Sequence, residues 1–405
     1  MAHTINERPP AFCLSKNEIR YVYTVTDLTR AGLELQLKLF YVRKTDNANV
    51  QIGENFNLKP DANGKVYFYC NAYIDSLLTY NMPATSLVNE CETQYTQFFI
   101  HSREVWDADI TSVFNEHEET KKRLAIKMGV EKHRYSRDNF FNYFNTSKCF
   151  FTWIPNNRFV FINQPNYLTA FIAAGTTNGL KVRATYYLTD GTTDYVDTDI
   201  SGTNGFLFHI NATPAALGII AAIGSGQLHY YDVEILGAAN ALIVGAYRFY
   251  IDYTPMYNYY DLLFFNSLSG VDTIRVKGKV NTIFDVQKET AEGGFSFLES
   301  ASINKTPETI ATSIAVSRKY KGDAGWCDTK QQQFALIEFL ASDCAFQKID
   351  GRNVRLMNLV SNFDAGEIND DLQSFPIEWT LAETNSVLTP VEINLGIAND
   401  TETYP

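Results

Sequence analysis

The run Glu116-His117-Glu118-Glu119 is the first place in this sequence where metal chemistry could sit. A zinc-hydrolase helix needs two histidines four residues apart around a glutamate, so that both imidazoles share one helix face. Position 121 is Lys121, and His133 lies too far along the chain for a shared metal to be inferred. The run therefore reads as a charged, solvated surface. Asp194, Asp197 and Asp199 in TTDYVDTDIS could gather round a hard cation such as calcium, but the EF-hand spacing is not met and Asp/Thr-rich loops are usually just turns. Glu338 in ALIEFL and Glu378 in FPIEWTL sit among apolar neighbours that would raise a carboxyl pKa. A polysaccharide-degrading enzyme needs two such groups across a cleft. Alternation along a strand or helix face accounts for both more simply.

No GxSxG elbow, P-loop or dinucleotide fingerprint occurs. The expectation is a protein that is not an enzyme and carries no cofactor. Cys13, Cys70, Cys91, Cys149, Cys327 and Cys344 are scattered, with no CxxC pair and no histidine at metal-ligand spacing. They read as buried, reduced thiols.

The strongest binding candidate is aromatic. The segment from Tyr253 to Asp261 reads as a turn or loop carrying Tyr253, Tyr257, Tyr259 and Tyr260 with little charge. Tyrosine on a loop gives rigid contact area with one wet edge. Internal packing, a subunit interface and a glycan or receptor contact are all compatible with it.

These residues must be positioned by strands. Leu33, Leu35, Leu37 and Leu39 alternate with Glu34, Gln36 and Lys38, the period of two of a half-buried strand. Leu180, Val182, Ala184 and Tyr186 repeat that pattern, and Asn63-Gly64 and Asp190-Gly191 are hairpin-turn signals. Aromatic residues make up 14% of the chain, a share that suits strands and sandwich cores. The charge-dense stretch after Trp106, acidic early and basic later, predicts a helix from Ile110 to Met128. Phe334, Ile337, Leu340 and Ala341 recur at helical spacing and predict a second, short amphipathic helix.

The fold expectation is mainly β and multidomain. It has an N-terminal β-sandwich over 1–100, a helical connector over 101–149, a central β-sandwich over 150–280 and a C-terminal β-rich domain with a short helix over 281–405. Both sandwiches are expected to be of immunoglobulin or jelly-roll kind. A net charge of −12 argues against a nucleic-acid partner and against adsorption to anionic lipid. The apolar stretch from Ala212 to Ile223 contains Pro214 and Gly218 and is too short to span a bilayer. The N-terminus lacks the basic-then-apolar pattern of a secretory signal, so synthesis in the cytoplasm is expected.

Three phrases, LSKNEIRYVYTVTD, YYDLLFFNSLSGVDTIRVKGKV and FDAGEINDDLQSFPIEWTLAET, together resemble uncharacterised bacteriophage and prophage proteins of the tail, baseplate or receptor-binding class. The resemblance covers most of the chain and carries no diagnostic motif or functional residue. It implies a structural virion protein that assembles in symmetric copies with itself and with other virion proteins. Two alternatives accompany it: a carbohydrate- or receptor-binding adhesin module, and a virion-associated polysaccharide-degrading enzyme.

Overall fold

The leucine alternation after residue 33 forms the strand Glu34–Val42, with Leu35, Leu37 and Leu39 fully buried. The structure is a computed structural model that describes residues 3–80, 82–107, 113–114, 118–131, 148–175, 177–200, 205–255, 259–277, 280–292, 309–327, 330–349, 351–359 and 373–382. Glu34–Val42 lies in a five-stranded sheet ordered Phe12–Leu14, Arg123–Ile126, Tyr95–Val105, Glu34–Val42, Asn49–Leu58. Its inward leucines share one core with Tyr21, Tyr23, Val66 and Phe68 of a three-stranded sheet built from His3–Glu7, Arg20–Val25 and Lys65–Tyr69. The Asn63-Gly64 turn is present, and Gly64 has φ +74°. A Cβ there would come within 2.5 Å of the Val25 carbonyl oxygen, so both the backbone and the space demand glycine.

A second sandwich follows. Its larger sheet runs Arg158–Val160, Leu242–Ile251, Leu228–Leu236, Lys181–Leu188, Thr193–Asp199. The smaller one runs Tyr167–Phe171, Leu207–Asn211, Val88–Glu90. Val182, Ala184, Tyr231, Val233 and Phe249 of the first meet Leu168, Ala170, Phe208 and Ile210 of the second in one core. The architecture is mainly β, as expected.

The two sandwiches share strands and core residues along the chain. Val88–Glu90, from the first expected domain, hydrogen-bonds to Leu207–Asn211 of the central one. A further core joins Leu14, Tyr95, Leu124 and Ile126 to Phe151, Phe171 and Leu207. Both sandwiches thus belong to one compact unit, comprising 1–255, 263–275 and 329–344. The expected connector over 101–149 contributes strand rather than helix where it is described. Tyr95–Val105 runs into it, and Arg123–Ile126 pairs with Tyr95–Val105 on one side and Phe12–Leu14 on the other. The apolar triplet Leu124-Ala125-Ile126 is buried on both faces, which outweighs the dipole-favoured charge order. A short 3-10 turn, Glu119–Lys121, precedes it; 108–112 and 115–117, on which the helix expectation also falls, lie outside the described residues.

The amphipathic helix forms over Lys330–Ala341, but it lies in the first unit. Among its described side chains Ala335, Leu336 and Phe339 are buried, while Ile337 is exposed. The segment FALIEFLA is apolar on more than one face. Phe264, whose ring meets Phe339 edge-on at 5.5 Å, selects the stripe that is buried.

The second unit comprises 256–262, 276–328 and 345–405. Five of its described strands run Ala345–Ile349, Arg352–Asn358, Gln373–Leu381, Thr309–Cys327, Asn281–Glu292, each antiparallel to the next. Trp379 is fully buried, stacks on Tyr320 at 5.3 Å and donates its indole N–H to Gln347 at 2.8 Å. Among the described residues no helix is long and apolar enough to cross a membrane.

Candidate functional site

Along the larger sheet of the second sandwich, every other residue points away from the core. The strand register sets these outward residues in rows across the sheet. Phe159 lies opposite Tyr250, Tyr250 opposite Tyr230, and Tyr230 opposite Tyr187. Their ring centroids are 5.3, 5.2 and 4.2 Å apart, with interplanar angles of 28°, 43° and 18°. Four strands thus carry one continuous ladder of rings. Directly opposed aromatic pairs of this kind stabilise a sheet by roughly 0.2–1 kcal/mol each.

The next row is Arg248, Asp232, Thr185 and Tyr195. Arg248 donates two hydrogen bonds of 2.7 Å to Asp232, which hold its pKa above the usual value, and its guanidinium lies 4.4 Å from the Tyr230 ring centroid. Beyond it, Arg183 donates to Asp197 at 2.7 and 2.8 Å and covers the Tyr195 ring at 4.2 Å. A β-bulge where Leu228 and Tyr230 face Leu188 and Tyr187 inserts His229 as an extra residue. Leu228 and Tyr231 remain buried, so the bulge turns both His229 and Tyr230 outward. The His229 ring stands 5.1 Å from Tyr230 and 6.1 Å from Tyr250.

Ring faces within the ladder are taken up by one another. What remains for a partner is a line of ring edges, tyrosine hydroxyls, guanidinium groups and the outer side of Phe159, which is 68% exposed. Tyrosine and arginine are the residues enriched at protein interfaces and at their hot spots.

Of the expected binding residues, Tyr253 is exposed and donates its hydroxyl to the Leu228 carbonyl at 2.7 Å, next to the bulge. Tyr257 lies outside the described residues. Tyr259 and Tyr260 begin the strand Tyr259–Phe265 rather than lying in a loop, and they belong to the second unit. Tyr259 is exposed, whereas Tyr260 packs against Tyr320 and Trp379, each at 5.8 Å.

The calcium candidates lie on the strand Thr193–Asp199, not in a loop. Asp194 faces the opposite side from Asp197 and Asp199. Hydrogen bonds from Arg183, then from Lys181, hold the Asp197 carboxyl down at about 2. Among the described residues no group of three histidine, cysteine or acidic side chains could hold a metal. His117 and His133 are outside the described residues.

Glu338 accepts the Ser267 backbone N–H at 2.8 Å and its hydroxyl at 3.2 Å, and burial raises its pKa. Glu378, in the second unit, is paired with Lys321. Cys13, Cys70, Cys91 and Cys344 are buried thiols outside any disulfide, but Cys149 is exposed, and the Cys327 side chain lies outside the description.

Two features escaped the sequence. One is a buried polar chain in the first unit: Ser269 donates to Gln94 at 2.8 Å, Gln94 meets His209 Nε2 at 3.0 Å, and Thr169 meets His209 Nδ1 at 2.8 Å. Burial pushes His209 down to about 3, which keeps it neutral. With both nitrogens engaged and its ring buried, it is a structural histidine. The other is a cleft of about 550 Å³ lined by Lys44, Asn47, Glu90, Glu92, Tyr95 and Phe206 among others. Lys44 Nζ sits 3.1 Å above the Tyr95 ring centroid and 3.7 Å from Glu90, and burial lowers its pKa to about 8. The Tyr95 hydroxyl donates to Glu90, and Gly205, whose Cβ would fall 2.4 Å from Glu90 Oε1, lets the chain pass.

The sequence matches no protein-family model and no curated protein.

Proposed function

We propose that this chain is a non-enzymatic structural protein that works by assembling with copies of itself and with other subunits, as a virion component of the tail, baseplate or fibre-attachment kind. One observation carries the reading: a solvent-facing sheet bears a four-ring aromatic ladder flanked by Arg248 and Arg183. Such a surface, unlike a ring of charges, gains from being covered, because tyrosine brings large apolar area at little side-chain entropy cost. The virion setting rests on the resemblance of the three sequence phrases alone.

A glycan would use the same surface differently, stacking on a free ring face and bonding to carboxylates. The ladder's faces are mostly taken up by neighbouring rings, which favours a protein partner. The test is the double variant Tyr230→Ala/Tyr250→Ala, compared with wild type by sedimentation velocity and on a glycan array. Loss of self-association with no glycan signal in either protein supports assembly. Unchanged association, with wild-type glycan binding that the variant lacks, supports the adhesin reading instead.

A further inference from the structure

In the second unit, Asn281–Glu292 is the outermost strand of its sheet among the described residues. Its neighbour Thr309–Cys327 pairs with Gln373–Leu381 only from Lys319 onward. From Thr309 to Arg318 the two strands form a ribbon with no third strand among the described residues. A two-stranded ribbon is marginally stable alone. On the outer strand Ile283, Phe284 and Val286 are 48%, 47% and 50% exposed, Phe284 and Val286 on one face and Ile283 on the other. A long apolar edge of this kind is a template for another strand.

We propose that this edge pairs with the same edge of a second copy, antiparallel, about a two-fold axis through Val286; the inference rests on the self-assembly reading above. A two-fold axis between antiparallel strands stands perpendicular to the sheet, so a residue can face only residues of its own face in the other copy. That restriction leaves few registers, and charge sorts them. Centring on Asp285 sets two aspartates directly opposite, and centring on Lys288 sets two lysines opposite. Centring on Gln287 sets Glu289 against Asp285. Directly opposed like charges are destabilising.

Centring on Val286 sets Val286 against itself, Phe284 against Lys288, Asp285 against Gln287 and Ile283 against Glu289. No like charges meet. The lysine stem covers the exposed ring, and Phe284 and Val286 of both copies form one apolar strip. Val286 is also near the middle of Asn281–Glu292, so this register uses almost the whole strand. Centring on Phe284 also avoids like charges, but it pairs only the first part of the strand.

The test is oxidative cross-linking of Val286→Cys in a Cys149→Ser/Cys327→Ser background, which removes the thiol that is exposed among the described cysteines and Cys327 with it. Opposed residues have Cβ atoms about 4.5–5.5 Å apart, near enough to bridge with small adjustment. Asn281→Cys is the control, since the two copies of residue 281 would be about 33 Å apart along the strands. Cross-linked dimer at position 286 and none at 281 is the expected result. No dimer at 286, or equal yields at both positions, overturns the pairing. Val286→Asp should weaken self-association on the order of tenfold, and mixing it with Val286→Lys should restore it. If wild type assembles but Val286→Cys does not cross-link, only this pairing falls. If wild type stays monomeric at all concentrations, the self-assembly reading falls with it.

Discussion

Acid should unfold the first unit through His209. Its imidazole is fully buried between Gln94 and Thr169, and burial lowers its pKa from 6.5 to about 3. Between those values the unfolded chain takes up a proton that the folded chain refuses, so stability falls as pH falls and levels off below about 3. Each pH unit in that window costs at most about 1.4 kcal/mol. The loss is on the order of 3 kcal/mol at pH 4, with a ceiling of about 5 kcal/mol near pH 3. His209→Gln keeps hydrogen-bonding groups in place but cannot titrate. It should cost roughly 1–3 kcal/mol at pH 7, as its bonds to Gln94 and Thr169 are imperfectly replaced. Urea unfolding of both proteins from pH 7 to pH 4 isolates the residue, because all other titrating groups are shared. The wild type's advantage should fall by about 3 kcal/mol on acidification, so that by pH 4 it has vanished or reversed. Parallel curves would refute the reasoning, since they would mean that His209 gains its proton as readily folded as unfolded.

Three further outcomes are expected. Tyr230→Ala, in the middle of the ladder, should lower fold stability by only about 1 kcal/mol but weaken an interface that uses it by about 2 kcal/mol or more, as compared by thermal unfolding and dissociation constant. Gly64→Ala should destabilise the first unit by more than about 1 kcal/mol, because φ +74° and the Val25 carbonyl both oppose a Cβ; urea unfolding checks it. Lys44 should be acetylated before the other lysines under limiting reagent at pH 8, as read by mass spectrometry, because its amine is lowered to about 8. Its buried charge opposes folding fully below pH 8, and that penalty should lift as pH rises from 8 toward 10.5.

Strand identity was legible wherever a period of two met a turn signal. The leucines of Glu34–Val42 and the outward–inward alternation of Lys181–Leu188 are both as expected. The same alternation distinguishes Tyr187 from Tyr186 and Tyr230 from Tyr231. What it cannot supply is which strands are neighbours, or the bulge at His229, and the ladder exists only through those two facts. The exchange of strands between sheets is hidden for a related reason. Val88–Glu90 is three residues long and finds its partner more than a hundred residues later. No local pattern announces such a pairing. The tyrosine-rich segment drew attention by density, yet density says nothing about direction: Tyr253 reaches solvent, while Tyr260 fills the space beside Trp379. Helix spacing in Lys330–Ala341 identified the element but not its buried stripe, which Phe264 decides.

The most direct measurement of the central claim is the solution mass of the wild-type chain by light scattering, repeated across a dilution series. The account predicts a mass that is an integer multiple of the chain and that falls toward the monomer only on strong dilution. A monomer at every concentration would contradict it.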